Sequence, residues 1–249
     1  MCGIMEQNIQ IPENNPYVNP GKVIIFDKPL TWTSFDTVNK VRNAIRRTFN
    51  IKKIKVGHAG TLDPLATGVL IVCTGKRTKE ITSFQDRDKE YIANIRCGAT
   101  TASYDLEHPI ENIKDISHLT REMIEEALKK FIGVQIQYPP VFSAKKIDGK
   151  RAYEKAHKGN GDQVKIRPQE IEIKELEIIE YSNEEFQLRV ACSKGTYIRS
   201  LAHDLGQVLG TGAYLAGLRR TRIGNITLEN AVSPQQFEEL LKNEQTNIN

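Results

Sequence analysis

The sequence predicts an α+β fold in which helices flank a mixed, largely antiparallel sheet. Residues 91–97 and 186–192 alternate apolar and polar side chains, as strands do when they bury one face of a sheet. Segments with helical spacing of apolar residues interrupt the strand-like segments, which outnumber them. At 249 residues with 39% apolar side chains, the chain can form one large domain or two small ones.

The first fifty residues predict an irregular arm, a buried strand and a helix. Residues 1–20 contain scattered prolines and asparagines, which predict an arm that packs loosely. Val23–Phe26 is a short apolar run typical of a buried strand. Thr33, followed three residues later by Asp36, resembles a helix N-cap, and apolar residues then recur at helical spacing up to Phe49.

The rest of the chain alternates between the two patterns. The further predicted strands are residues 69–73, 91–97, 171–178 and 186–192, the last two as antiparallel neighbours. The further predicted helices are residues 78–84, 120–133, 197–210 and 234–241, with Gly133 and Gly210 as end signals. Residues 155–164 contain Gly159-Asn160-Gly161 and predict a short helix end followed by a flexible connection.

Positive charge is concentrated in one segment. The chain has 35 Lys and Arg against 31 Asp and Glu, a formal net charge of +4. No acid occurs between Asp36 and Asp63, and the basic residues of that interval are Lys40, Arg42, Arg46, Arg47, Lys52, Lys53 and Lys55. This segment predicts a surface that faces phosphates, with a solvated basic helix face as the alternative.

The cysteines and the lack of apolar spans indicate an intracellular setting. Cys2, Cys73, Cys97 and Cys192 lack the paired spacing of a zinc site, and three of them lie in apolar, strand-like runs. Buried thiols in a reducing compartment explain this best. No apolar run reaches the length of a membrane span, and the N-terminus lacks a signal-peptide pattern. We therefore expect a cytoplasmic protein that does not contact membranes.

The stretch Gly57–Gly68 is the strongest candidate for a functional loop. Its glycines suit positive φ or close backbone approach, and Pro64 pushes Asp63 towards an extended conformation. Apolar neighbours of the acid predict a packed loop that lines a cleft. On spacing alone, Asp63 as a turn cap and His58 as a structural histidine explain the residues equally well.

Four stretches of the chain carry a family resemblance. They are Asp27-Lys28-Pro29 with Thr33-Ser34, the signature Gly57–Leu70, Ser143-Ala144 with Lys146 and Gly149-Lys150, and Cys192–Arg199. Together they resemble the TruB family of pseudouridine synthases, which modify the T arm of tRNA. The resemblance implies the pseudouridine synthase catalytic fold over residues 21–230, after the arm at 1–20. Residues 231–249 then form a short C-terminal helix and tail, without a full RNA-binding module of the PUA type.

The resemblance also implies the catalytic residues. Asp63 matches the catalytic aspartate, and Arg199 would be its ion partner, although a surface arginine on a helix is the alternative. Lys28-Pro29 would brace the catalytic loop. Family members carry a Thr-Asp-Thr-x-Asp type segment where this chain has Thr100–Asp105. Because only the final acid is retained, we assign that loop no catalytic role.

The same resemblance implies five substrate contacts. Tyr91 would stack on the flipped uracil, Leu218 would form the apolar wall, and Tyr197 would lend a hydroxyl group. His58 would occupy the space that the flipped nucleotide leaves. Lys79 is a weaker candidate for a phosphate contact. The basic loop at residues 142–151 would lie near the RNA, with a plain basic turn as the alternative.

The implied reaction is an isomerisation that breaks the N1–C1′ bond of uridine and rejoins the ring through C5. No atom enters or leaves, so we expect neither a redox cofactor nor a metal, and the sequence has no motif for either. A carboxylate can act as a nucleophile or stabilise positive charge at the sugar. Attack by Asp63 on C1′, attack on the base and abstraction of a sugar proton all stay open.

Two other functions fit the sequence less well. An RNA-binding protein or tRNA-folding chaperone would not need Asp63, Tyr91 and Arg199 together, although a chaperone role could accompany catalysis. A nucleosidase with a single carboxylate would release free base and would have no use for a basic surface. We expect tRNA as the partner and a monomer as the oligomeric state.

Overall fold

The computed structural model describes residues 15–143, 146–147, 150–151, 167–182 and 184–246. Several predictions lie outside these residues: residues 1–14 of the arm, the connection at 155–164, part of the loop at 142–151, and the last three residues of the tail. Two compact units divide the described residues. Unit 1 takes its residues from Met1–Pro64, Gly68–Gln85 and Thr227–Asn249, and unit 2 from Leu65–Thr67 and Asp86–Ile226.

Helices interrupt runs of strands along the chain. The strands are β1 (Val23–Lys28), β2 (Val56–Ala59), β3 (Ala66–Thr74), β4 (Lys89–Cys97), β5 (Thr100–Thr101), β6 (Ile110–Glu111), β7 (Gly133–Gln137), β8 (Lys146–Ile147), β9 (Lys150–Arg151), β10 (Gln169–Tyr181), β11 (Glu185–Cys192), β12 (Ala213–Ile223) and β13 (Ile226–Thr227). The helices are α1 (Ser34–Thr48), α2 (Ile81–Gln85), α3 (Arg121–Lys129), α4 (Ile198–Leu209) and α5 (Pro234–Thr246), and a 3₁₀ helix spans Gly75–Glu80. Strand pairing within each unit is antiparallel, which confirms the predicted α+β class.

Unit 1 is organised around β3. Both β1 and β2 pair with β3 in antiparallel register, so that Val23 lies opposite Cys73 and Val56 opposite Thr74. The helices α1 and α5 pack against each other, and α5 contacts β1. Phe26 and Ile45 are completely buried in the apolar cluster of this unit. This packing holds the chain before and after Gly57–Gly68 in fixed positions.

The start of α1 confirms the predicted N-cap at Thr33, which forms a capping box with Asp36. Thr33 Oγ1 accepts the backbone N–H of Asp36 at 3.0 Å, and the Asp36 carboxylate accepts the backbone N–H of Thr33 at 2.8 Å. On another side of the helix, Glu238 of α5 binds Lys40 and Arg47, each at 2.7 Å. Two of the seven basic residues predicted to face phosphates are thus paired inside unit 1.

Residues 15–20 differ from the loosely packed arm that the sequence predicts. Tyr17 is only 2% exposed, and its ring centroid lies 5.6 Å from that of Phe49 and 6.1 Å from that of Phe237. Its hydroxyl donates to Glu244 at 3.0 Å. Burial, followed by the nearby carboxylate, raises the pKa of Tyr17 well above its usual range. This part of the arm therefore belongs to the core of unit 1.

Unit 2 contains an antiparallel sheet in the strand order β12, β4, β11, β10, β7. The helices α3 and α4 pack together, α3 against β10 and α4 against β12 and β4. Alternate residues of β4 are buried, beginning with Lys89 and Tyr91. Glu90 takes the opposite face, where it binds Arg222 at 3.3 Å and Arg189 at 3.4 Å. This alternation sets the direction in which Tyr91 points.

Some boundaries and some strands differ from the prediction. The helix predicted to end at Gly133 ends at Lys129, and Gly133 instead begins β7 with a φ of 101°. The sequence predicts neither β7 nor β12 as a strand, and β2 overlaps the predicted loop at Gly57–Gly68. Cys73, Cys97 and Cys192 are buried thiols, as predicted. Within the described residues, no helix is long and apolar enough to cross a membrane.

Candidate active site

The loop that carries Asp63 is held on both sides by residues of unit 1. Before the acid, the backbone N–H of Leu62 donates to Ser34 Oγ at 2.8 Å, and that hydroxyl donates back to Leu62 O at 3.1 Å. After it, Pro64 O accepts the backbone N–H of Thr31 at 2.9 Å. Because the residues on either side of Asp63 are fixed, its half-buried carboxylate is presented from a rigid backbone.

The Lys28 side chain connects the turn before α1 with the loop that carries Asp63. Its ammonium group is fully buried and donates to Pro29 O at 2.9 Å, to Trp32 O at 2.5 Å and to Pro64 O at 3.5 Å. A buried ammonium needs such acceptors to offset the loss of hydration. The contacts confirm the expectation that Lys28 braces the Asp63 loop.

Thr31, whose N–H donates to Pro64 O, has a strained backbone conformation. Its φ is 69°, in the left-handed region that a β-branched residue rarely adopts. Thr31→Gly keeps the N–H that donates to Pro64 and removes the clash, so we expect the free energy of unfolding to rise by about 0.5–1 kcal/mol. Thermal unfolding should show a midpoint higher by about 1–4 °C. Thr31→Ala, which keeps a Cβ, is the control and should stay close to wild type; an equal gain there would contradict strain as the cause.

The two other site residues predicted in unit 1 lie on different elements. His58 is half-buried on β2, where it pairs with Val72 of β3, and it precedes Asp63 by five residues. Lys79 is exposed on the 3₁₀ helix, which follows the far end of β3 from the Asp63 loop. Its role as a phosphate contact stays a prediction.

In unit 2, Tyr91 lies on a buried face of the sheet among basic side chains. Its strand neighbours are Val190 on β11 and Arg220 on β12, and Arg220 is only 1% exposed. Lys89, two residues earlier on the same face, is also buried and donates to Arg87 O. Burial, helped by the charge of Arg220, lowers the pKa of Lys89 to about 8. Tyr91 therefore sits in a positively charged environment.

Leu218 lies on a distorted part of β12. The register between β12 and β4 shifts between Leu215 and Gly217 and again between Arg220 and Arg222, so Leu218 lies between two irregularities. The Thr67 hydroxyl, which belongs to the same unit, donates to Leu218 O at 3.5 Å. Bulges of this kind change the direction of side chains and are common beside active sites.

Tyr197 is the N-cap residue of α4, as predicted, and Gln137 of β7 holds its backbone. The backbone N–H of Tyr197 donates to Gln137 Oε1 at 2.8 Å, and Gln137 Nε2 donates to Tyr197 O at 3.0 Å. This two-point contact sets where α4 begins. It therefore also sets the position of Arg199 two residues later.

Arg199 is 3% exposed and faces a carboxylate within unit 2. Its Nε lies 3.6 Å from Asp105 Oδ2, and its Nη1 donates to Phe142 O at 2.8 Å and to Ser103 O at 3.4 Å. The alternative interpretation, in which Arg199 is a surface arginine, is therefore wrong. Asp63 belongs to unit 1 and Arg199 to unit 2, so the pairing of these two residues stays a prediction.

The loop with Asp105, to which the sequence analysis assigned no catalytic role, is fixed to α4 at a second point. The ring of Tyr104 stacks on His203, one helical turn after Arg199, with centroids 3.9 Å apart and planes at 17°. Burial lowers the pKa of His203, which favours the neutral imidazole. Asp105 Oδ1 accepts the Ser103 hydroxyl at 2.5 Å and the N–H of Glu107 at 3.0 Å. Asp105 is thus positioned to hold Arg199.

Asp105 and Gln137 are the residues of the site that sequence reasoning missed. Asp105 was the one acid retained in a segment that otherwise departs from the family pattern, which was an available signal. No sequence signal identified Gln137, because its contact with Tyr197 joins positions that are sixty residues apart. No group of three or more His, Cys, Asp or Glu side chains in the described part of the chain is arranged to hold a metal ion.

The chain matches two family models that together cover most of its length. The model described as "TruB family pseudouridylate synthase (N terminal domain)" matches residues 46–198. The model described as "tRNA pseudouridylate synthase B C-terminal domain" matches residues 199–248.

Similar proteins and structures agree with these matches. The tRNA pseudouridine synthase B of Parabacteroides distasonis is 54% identical over 222 residues, which cover 89% of this chain and 94% of that protein. The tRNA pseudouridine synthase B of Chlorobium chlorochromatii is 43% identical over 243 residues, covering 98% and 93%.

Among solved structures, a Cbf5-Nop10-Gar1 complex matches with a TM-score of 0.63 and 30% identity, over 87% of this chain and 53% of that one. The archaeal box H/ACA sRNP Nop10-Cbf5 complex matches with a TM-score of 0.62 and 28% identity, over 88% and 53%. The chain spans about half the length of these solved chains. The chain belongs to the TruB family of pseudouridylate synthases.

Proposed function

We propose that this protein isomerises a uridine in the T loop of tRNA, at position 55, to pseudouridine. The N1–C1′ bond breaks and a C5–C1′ bond forms, while C5 loses a proton and N1 gains one. Atoms and electrons balance within the nucleotide, so the proposed reaction needs neither a redox cofactor nor an added metal. The names of the relatives support tRNA as the substrate.

One observation supports this proposal most directly: the backbone on both sides of the Asp63 carboxylate is fixed by hydrogen bonds. Hydrogen bonds to the backbone of Leu62 and Pro64 fix the chain on both sides of Asp63, so the direction of its side chain is set before the substrate binds. Preorganised groups of this kind lower a barrier because little reorganisation accompanies the reaction. Asp63 would attack C1′, attack the base or abstract a sugar proton, and Arg199, held by Asp105, would orient it and keep it ionised.

The remaining site residues would bind the extruded nucleotide. Removing a base from its stack costs about a few kcal/mol, and one aromatic stack returns about 1–3 kcal/mol. Tyr91 would provide that stack and Leu218 an apolar wall, while the Tyr197 hydroxyl would bind a polar edge of the nucleotide. His58 would fill the space that the base leaves, and Lys79 would contact a phosphate.

We infer the setting of this activity from the family and the composition. Residues 21–230 would form the catalytic domain, preceded by the arm at 1–20 and followed by the helix and tail at 231–249. The enzyme would work in the cytoplasm as a monomer on free tRNA, and a role as a tRNA-folding chaperone could accompany catalysis.

The decisive experiment is to incubate the purified protein with unmodified tRNA transcript, without added cofactor or metal, and to map pseudouridine at nucleotide resolution. We expect a single signal at position 55 and no released uracil by chromatography. Released free base would indicate a nucleosidase. Tight binding of tRNA with neither product would contradict the proposed activity and favour an RNA-binding protein.

A further inference from the structure

The helix α1 presents two differently charged surfaces. On one side, Lys40 and Arg47 are neutralised by Glu238 of α5. On another, Phe35, Asn39, Arg42 and Arg46 follow one another at intervals of four, three and four residues, which places them on a single helix face. Arg46 is exposed on this face, and Arg42 is half-buried.

The turn immediately before α1 adds two more apolar side chains, and we call the four residues Leu30, Trp32, Phe35 and Arg42 the stacking patch. Phe35 is 59% exposed and Leu30 54%, whereas Trp32 is half-buried. The guanidinium carbon of Arg42 lies 6.0 Å from the centre of the Phe35 ring. Arg42 also donates to Asn39 Oδ1 at 2.7 Å and to Val56 O at 3.3 Å, so its position is fixed. Exposed aromatic rings beside a fixed cation are an unusual surface for a soluble helix.

The stacking patch adjoins the Asp63 loop within unit 1. Lys28 binds both Trp32 O and Pro64 O, and Thr31, between Leu30 and Trp32, donates to Pro64 O. The turn that contains Leu30 and Trp32 is thus held by hydrogen bonds to Pro64, the residue next to Asp63. A polynucleotide whose target uridine reaches Asp63 has to pass close to this surface with a neighbouring nucleotide.

We propose that the stacking patch binds an unpaired base of the RNA close to the target nucleotide, an inference that rests on the proposed function. Bases stack on aromatic rings and on guanidinium planes whatever their sequence, and the backbone phosphates are attracted by positive charge. The charge around the patch matches this partner, because no acid occurs from residue 37 to residue 62. The nearest acid on the helix, Asp36, is engaged by Thr33.

Two substitutions at Phe35 separate base stacking from a general apolar contact. Phe35→Tyr keeps an aromatic ring, whereas Phe35→Leu keeps apolar surface and loses the ring. Both change an exposed side chain, so both should fold, which thermal unfolding checks. In an Asp63→Asn background, which allows binding without turnover, we expect the Kd for unmodified tRNA to rise about five- to a hundred-fold for Phe35→Leu and to stay within about two-fold for Phe35→Tyr. Leu240→Ala, at an exposed apolar residue of α5, is the matched control and should bind as wild type.

The single tryptophan of the chain, Trp32, gives an independent signal. Stacking of a base on the patch should quench its fluorescence on titration with tRNA, and Phe35→Leu should reduce the quenching at saturation. Equal binding by both Phe35 variants, or equal loss in both, would overturn the stacking proposal, as would unquenched fluorescence at saturating tRNA. Failure of the proposed function is distinguishable, because it would show as an absence of pseudouridine with the wild-type protein, whatever the Phe35 variants bind.

Discussion

Replacing Asp63 by Asn is expected to abolish the conversion of uridine to pseudouridine while leaving tRNA binding within about two-fold of wild type. The amide has nearly the size and shape of the carboxylate, and the contacts that hold the loop run through the backbone of Leu62 and Pro64. What is lost is the negative charge that would attack or stabilise the reacting sugar. We therefore expect single-turnover rates to fall by about 10³-fold or more.

The measurement is rapid mixing of excess enzyme with unmodified tRNA, followed by quantification of pseudouridine over time. Asp36→Asn is the matched control, since it makes the same chemical change on a neighbouring segment. Asn can still accept the N–H of Thr33, so this variant loses mainly the negative charge at the N-terminus of α1, which should cost about 0.3–1 kcal/mol of stability without slowing the reaction at saturating tRNA. A rate above a tenth of wild type for Asp63→Asn would show that Asp63 is not the catalytic carboxylate.

The parts of this fold that could be predicted are those set by short-range signals. The N-cap at Thr33 and Asp36 needs only four residues, and the alternation of residues 91–97 needs only one strand. Asp63 and Arg199 could be predicted in the same way, because each lies in a motif that is contiguous in sequence. These motifs are Gly57–Gly68 and Cys192–Arg199. These predictions depended on residues that are close neighbours along the chain.

The parts that could not be predicted depend on contacts between distant segments. Tyr17 is buried because Phe49 and Phe237 cover it, and no property of residues 1–20 shows this. The strand β7 alternates apolar and polar residues but is only five residues long, and its apolar residues Val134 and Ile136 are exposed, so only its pairing with the distant β10 identifies it as part of the sheet.

The buried partner of Arg199 could not be predicted either, because it lies in a distant segment of the chain. The sequence marked Arg199 as a functional residue but offered Asp63 as its partner, because Asp63 was the one acid in the central motif. The structure adds Asp105, ninety-four positions earlier in the chain, as a buried partner. The resulting question is whether this pair serves stability alone or also positions Arg199 for catalysis.

Asp105→Asn is expected to impair both stability and turnover. The amide can keep the contacts of Asp105 with Ser103 and Glu107, but it leaves the buried guanidinium of Arg199 without its counter-charge. Breaking a buried ion pair costs about 3–5 kcal/mol. Chemical denaturation should show this loss. Asp115→Asn, which changes an exposed carboxylate with similar contacts to Ser117, is the control and should leave the free energy of unfolding close to that of wild type.

A double replacement separates the two roles of the pair. In Asp105→Asn with Arg199→Met both charges are gone while the contacts of residue 105 with Ser103 and Glu107 can stay, so much of the stability lost in Asp105→Asn should return. If the pair were only structural, turnover would return with it. We expect turnover to stay at least about a hundred-fold below wild type at a temperature where the double variant is fully folded, because the charge that orients the catalytic carboxylate is missing. Recovery of both stability and turnover would assign Arg199 and Asp105 to the core of unit 2 alone.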